Sequence, residues 1–244
     1  MEARQRNPRE RVIDTTFNMY SDTPQGKDPD TWSRTLRKYH QILWSKGLPN
    51  GTIFNLDIDT RQLLHHKSDL GEFYLSSDCI GHTYSRIKSM SNIISEFPSN
   101  EIESFYKLCS TIGSYIIYPC KKIDNKMTFN GARGTNVMIK DRFDLTLECI
   151  RLFYLNKKSP LSETIIRYKS YFQLFNNFQG YVDFFLLNDL IVDDNMSIKY
   201  FLPFEKFNNS PLPSTVYEYE IYKKKMIKFI QNRNDRISKL NHDR

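Results

Sequence analysis

The sequence predicts a single, helix-dominated α+β domain with a small antiparallel sheet drawn from its N-terminal half. Three observations carry that expectation. Segments of the second half repeat apolar residues at three- and four-residue steps, the period of amphipathic helices. Shorter runs before residue 120 alternate or are rich in aromatic and branched side chains, as strands are. Of the 244 residues, 39% are hydrophobic and 14% aromatic, enough to fill a core, while 26% charged residues match an ordinary globular chain.

Residues 1–12 carry Arg4, Arg6, Arg9 and Arg11 and read as a flexible basic arm, leaving residues 13–240 for the globular unit. "YSDTPQGKDPD" (Tyr20 to Asp30) is punctuated by Pro24, Gly26 and Pro29 and reads as a loop. Its Asp22, Lys27, Asp28 and Asp30 are of a kind that covers a pocket, although loops of this composition are common. A helix is expected from Thr31 to Ser45, with Leu36, Tyr39, Leu43 and Trp32 on one face, ended by Gly47, Pro49 and Gly51. In "TIFNLDIDT", Phe54, Leu56 and Ile58 alternate with Asn55, Asp57 and Asp59, which predicts a strand with one wet face. "EFYLSS" reads as a second strand, and Asp78 as the cap of a helix carrying Ile80, Tyr84, Ile87 and Ile94.

A shorter helix is expected over Asn100 to Cys109, a strand at "SYIIYPC", and a hairpin turning at Asp124-Asn125. "SPLSETIIRYKSYFQLF" predicts one helix with Ser159 as N-cap and Pro160 at its first position. "GYVDFFLLNDLI" is apolar nearly all round and reads as central. The last helix is expected from Ser214 to Leu240. Its stripe of Tyr219, Tyr222, Met226, Phe229, Ile230 and Ile237 should dock on its own chain, fraying after Arg233.

The net charge is +7, concentrated at the two ends; Lys223, Lys224, Lys225, Lys228, Arg233, Arg236, Lys239 and Arg244 crowd the second. Such an excess suits an anionic partner such as nucleic acid or a nucleotide, and equally suits plain solubility. Cys79, Cys109, Cys120 and Cys149 have no CxxC spacing, so no zinc site is expected and the thiols read as reduced. No apolar run approaches the roughly 20 residues of a membrane span, and the first dozen residues are too charged for a signal peptide. The expectation is a cytoplasmic protein without a membrane partner. No cofactor and no oligomeric state follow from the sequence.

"NGARGTNVMIKDRFDLTLECIR" (Asn130 to Arg151) gathers the densest chemistry. From Lys140 the apolar residues Phe143, Leu147, Ile150 and Tyr154 follow helical spacing, and one narrow polar stripe remains: Asp141, Asp144, Glu148 and Arg151. Charge on a buried helix must be paired or line a wet pocket. Asn130, Arg133 and Arg142 are the ligand-binding candidates, because a glycine-containing loop before a helix N-terminus suits an anion. Asp144, Glu148 and Arg151 are the catalytic candidates, the carboxylates as general base and the arginine orienting them. A structural ion network explains the same residues. No metal site is assigned: the Asp57/Asp59 pair fits the solvent face of a strand, His65 and His66 must face opposite ways, and His40 and His82 stand alone.

"DRFDLTLECIR", "SPLSETIIRYKSYF", "GYVDFFLLNDL", "SDTPQGKDPDTWSRTLRKYHQILWSK" and "LGEFYLSSD" together resemble a widespread family of bacterial hypothetical proteins, a domain of unknown function. The resemblance spans about Ile13 to Ile237. It implies a bacterial, intracellular, single-domain protein and brings no activity with it. In that family a basic residue often follows the position of Arg151; here it is Leu152, which argues against a paired-arginine clamp. The functional expectation is therefore a protein that binds a phosphate-bearing ligand, nucleotide or nucleic acid, in an Arg/Asp/Glu pocket, with phosphodiester-directed activity as its enzymatic form. The alternative is a non-enzymatic interaction protein whose polar stripe is structural and whose basic C-terminal helix meets an acidic partner.

Overall fold

The computed structural model describes residues 12–241 and is α+β. The basic arm expected over residues 1–12 lies, apart from Val12, outside the described residues. A 3-10 turn at Met19–Asp22 precedes helices α1 (Pro29–Trp32) and α2 (Arg34–Trp44). The helix expected from Thr31 to Ser45 is thus split. Ser33 leaves the helical conformation to cap α2 through the Leu36 amide, and Asp22 receives the Ser33 hydroxyl and the Thr35 amide. Leu36, Tyr39 and Leu43 are buried as their spacing requires, whereas Trp32 is exposed.

Strands β1 (Lys46–Gly47) and β2 (Ile53–Phe54) form a small hairpin. A four-stranded antiparallel sheet follows, in the order β3 (Asp57–Ile58), β4 (Leu64–Ser68), β5 (Gly71–Cys79), β6 (Tyr115–Pro119). The alternation over residues 53–58 is therefore shared between two sheets; Phe54 and Leu56 are buried, but Ile58 is exposed at the sheet edge. Every residue of β6 is buried, which is why "SYIIYPC" reads as a continuous apolar run rather than an alternating one.

Asp78 caps no helix. It lies in β5, opposite Ile116, and the chain after β5 forms no helix, turning at Tyr84 (φ 57°), until a 3-10 turn at Lys88–Met90 and the single turn α3 (Ser91–Ile94). Helix α4 (Ser99–Cys109) forms as expected. Asp124 and Asn125 adopt positive φ, 52° and 55°, but join no pair of strands. The "NGARG" segment is not a loop but the short helix α5 (Phe129–Thr135), begun by Thr128, whose hydroxyl accepts from the Gly131 amide.

Helix α6 (Phe143–Tyr154) is buried nearly all round from Phe143 to Ile150. The single helix expected after Ser159 is two, α7 (Ser162–Arg167) and α8 (Lys169–Gln173), broken at Tyr168; Ser159 does not cap, its amide instead donating to Ser162 Oγ. Helix α9 (Phe178–Phe184) is central, as its composition demands. Helix α10 (Val216–Lys239) begins at the Thr215 cap and packs on α4, on α3 and on the 3-10 turn Ile112–Ser114.

Helix α10 does not fray after Arg233. Arg233 and Asn234 are buried, and Ile237 is fully covered. Arg233 donates to the carbonyls of Phe185, Gly113 and Tyr115 at 2.8–3.1 Å. Asn234 accepts from the Gly113 amide at 2.7 Å and donates to Thr111 Oγ1. The polar pair that looked like a break in the stripe is the point at which the helix closes on the core.

Candidate functional site

The six site residues predicted from sequence do not share one pocket. Arg142 closes α6 at its N-terminus and places its guanidinium on both carboxylate oxygens of Asp144, with Nε 3.0 Å from Oδ1. Arg142 also donates to the Pro211 carbonyl at 3.0 Å, and Asp144 accepts from the Phe201 amide at 2.9 Å. Both side chains are buried, so the pair ties α6 to the segment leading into α10. One helical turn on, Glu148 takes two bonds from Arg151, at 2.7 and 2.8 Å. Asn130 sits elsewhere, donating to the Ser77 carbonyl at 3.1 Å. Asp144 and Glu148 thus each have their own arginine, and the two pairs have separate partners.

Arg133 is the exception with wider consequences. It is wholly buried. Its Nη1 pairs with Asp78 and stands 3.8 Å from Asp141, Nε donates to Thr146 Oγ1 at 3.3 Å, and Nη2 donates to the Asp141 carbonyl at 3.2 Å. Burial works against its charge, but Asp78 and Asp141 outweigh that and raise its affinity for its proton. Asp141 reaches this position because Lys140 and Asp141 both take positive φ, 46° and 60°, in the turn between α5 and α6. Gly134 faces the Asp141 carboxylate closely: a Cβ there would sit 3.1 Å from both its oxygens.

In front of this strut lies a cavity of about 360 Å³. Asp78 and Asp141 form part of its wall; Asp28 and Asp30 come from the "GKDPD" loop and α1; His82 and Arg86 come from the irregular chain after β5. Tyr20, Tyr84, Tyr106 and Tyr115 supply aromatic walls, the Tyr20 and Tyr106 rings tilted by 33° with centroids 5.4 Å apart. None of Asn130, Arg133, Arg142, Asp144, Glu148 and Arg151 lines it; Arg133 stands behind it, bonded to two residues that do.

Asp30 has an unusual setting in this cavity. As a residue it is half-buried, but its Oδ1 is sealed from solvent and has no hydrogen-bond partner. Burial, then the nearby charges of Asp78 and Asp28, push its carboxyl well above the usual range; Ser77 and Arg133 work in the opposite direction. Burial raises Asp78 too, but Arg133 pulls it back. Burial lowers His82, so its ring is neutral at pH 7 and donates from Nε2 to the Cys79 carbonyl at 3.1 Å. Burial thus favours the protonated form of Asp30, while Arg133 opposes the effect of burial on Asp78, an asymmetry that suits acid–base chemistry.

The sequence singled out Arg133 as a ligand-binding candidate and the loop as one of a kind that covers a pocket; it read Asp78 as a helix cap and left His82 standing alone. One signal pointed to Asp78: it is an acid at the penultimate position of a strand whose alternate residues Phe73, Leu75 and Ser77 turn inward. Among the described residues, no group of three or more His, Cys, Asp or Glu side chains is arranged to hold a metal ion. Asp59 is tied to Arg61 and to the Leu63 amide, Asp57 is exposed, and His65 and His66 face opposite ways, toward Glu72 and the Asn55 carbonyl. Among the described residues, no helix is long and apolar enough to cross a membrane.

The model of one protein family, described as a family of unknown function (DUF6994), matches residues 13–237. Neither the curated proteins nor the solved structures contain a match.

Proposed function

The chain belongs to this family of unknown function, and we propose that its work is done in the cavity between the "GKDPD" loop and the end of β5. The ligand is a small molecule rich in hydroxyl or amine donors, and Asp30 and Asp78 serve as acid and base toward it. One observation carries the reading: a sealed, unpartnered carboxyl oxygen of Asp30 beside a cavity that three further carboxylates line. A buried acceptor without a donor costs stability, about 1–3 kcal/mol. A ligand hydroxyl or ammonium supplies that donor.

A nucleoside or nucleotide is the ligand class that uses the whole lining. Sugar hydroxyls suit the carboxylates, a base suits the tyrosine walls, and a phosphate suits Arg86, which has no carboxylate partner among the described residues. The earlier candidates Arg142 and Arg151 offer a phosphate less, since Asp144 and Glu148 already occupy them. A nucleic-acid surface on α10 has less support as well, because Lys223 and Lys224 are paired with Glu101 and Glu220.

Thermal shift with a panel of nucleosides and nucleoside monophosphates tests the proposal. A ligand held at about 100 times its Kd adds about 2.7 kcal/mol, roughly 5–10 °C for a chain of this size. Asp30→Asn should abolish the shift, and Arg86→Ala should remove the advantage of monophosphates over nucleosides. No shift with any member of the panel, or the same shift in Asp30→Asn, refutes the reading.

A further inference from the structure

Asp30 also lines a second, smaller hollow of about 90 Å³, which it shares with His40 and Ser77. Both of these are buried, and neither belongs to the lining of the larger cavity. They are joined in a line. The Trp44 indole donates from Nε1 to His40 Nδ1 at 2.9 Å, and His40 Nε2 lies 2.8 Å from Ser77 Oγ. An indole N–H can only donate, so His40 Nδ1 accepts and carries no hydrogen. Burial, with Arg233 adding to it, lowers His40 to about 3. The ring is therefore neutral at pH 7, with its hydrogen on Nε2. That N–H donates to Ser77 Oγ, and the Ser77 hydroxyl must turn its own hydrogen away from His40.

We propose that Trp44, His40 and Ser77 form a hydrogen-bond chain of fixed direction that presents the Ser77 hydroxyl hydrogen to the Asp30 carboxyl, which makes His40 and Ser77 positioning residues for this acid. The proposal rests on the reading of Asp30 as the acid of the larger cavity. An acid that gives its proton to a ligand becomes a buried carboxylate and needs a donor at that moment. Its Oδ1 has none otherwise. Against burial and the charges of Asp78 and Asp28, Ser77 and Arg133 favour the ionised carboxyl. The remaining neighbours are the Cys79 thiol and the Tyr115 phenol, kept neutral by burial. Across the smaller hollow, Arg37 donates to the Thr31 carbonyl and Arg61 is paired with Asp59. Because His40 takes up a proton only in strong acid, the direction of the chain is the same wherever Asp30 works.

Carboxyl 13C NMR titration of the ligand-free protein reads the acidity of Asp30. Ser77→Ala should make it about tenfold less acidic, the loss of one hydrogen bond to a charged group. Ser77→Thr, which keeps a hydroxyl, should stay within about twofold of the wild type. Imidazole 15N NMR should show His40 with its hydrogen on Nε2 at neutral pH. Thermal melts establish that both variants are folded. Three results would each overturn the proposal: unchanged Asp30 acidity in Ser77→Ala, Ser77→Thr as weak an acid as Ser77→Ala, or a hydrogen on His40 Nδ1. No ligand enters these measurements, so a failure of the nucleoside panel and a failure here are told apart.

Discussion

Replacing Asp30 with asparagine should change how stability responds to pH, and the sign is fixed by the environment of the carboxyl. Asp30 is pushed up by burial and by Asp78 and Asp28. In the unfolded chain an aspartate loses its proton near pH 3.9. From there up to the raised midpoint, the folded chain holds a proton that the unfolded chain has released. The folded state therefore binds more protons, and stability falls as pH rises, by at most about 1.4 kcal/mol per pH unit from this group. Above the folded midpoint the deficit is constant; below pH ~4 it is absent. Asparagine has no proton to lose, so the variant should draw ahead of the wild type across that window. Urea unfolding of both proteins at several pH values from 4 to 8 reads the difference, the Asp30 contribution together with any change it makes to Asp78. Parallel stability profiles would refute the reasoning. So would a variant that loses ground as pH rises, since that requires Asp30 to be ionised and paired in the folded chain.

Two further outcomes follow from the polar stripe and from α10. Asp144→Ala leaves Arg142 buried without its carboxylate and should cost about 3–5 kcal/mol in chemical denaturation, whereas Glu148→Gln, whose Arg151 partner is 22% exposed, should cost about 1 kcal/mol or less. The double change Arg142→Met/Asp144→Leu should recover much of the first loss. Ending the chain after Asn232 removes Arg233, Asn234 and Ile237 together with the Asn241 bonds to both backbone groups of Ile13; the product should lack a cooperative melt, and a sharp transition within a few degrees of the wild type would contradict the keying role of Arg233.

What the sequence made legible is what local period and capping control. Helices α6 and α10 and strand β6 announce themselves because their apolar residues share one face or fill one run, and tertiary packing agrees with that pattern. The helix breaks at Ser33 and Tyr168 were hidden, since a periodic stripe runs through them unchanged while Ser33 is drawn into its bond with Asp22. The glycines of "NGARG" suggested an anion loop. Yet the Thr128 cap and the burial of Arg133 outweigh the cost of about 1 kcal/mol per helical glycine. The cavity was legible only in fragments. Asp78 and Arg133 are 55 residues apart and Asp30 lies further still, and nothing in a single chain's spacing says which distant acid meets which distant base. Arg233 shows the same limit from the other side: a charge in an apolar stripe reads as a flaw until three carbonyls are found waiting for it.

Those carbonyls also set an order of events during synthesis. Gly113, Tyr115 and Phe185 are made well before Arg233, and so is the Gly113 amide that Asn234 receives. Until α10 leaves the ribosome, the buried end of β6 and the turn before it have no partner for their peptide groups, and the apolar surface that Tyr219, Tyr222, Met226 and Ile230 will cover stands open. The nascent chain can form its sheet hairpins early, but it cannot lock them. A chain in which α10 has not yet docked therefore exposes this apolar surface, and it should aggregate more readily than one in which the helix is in place.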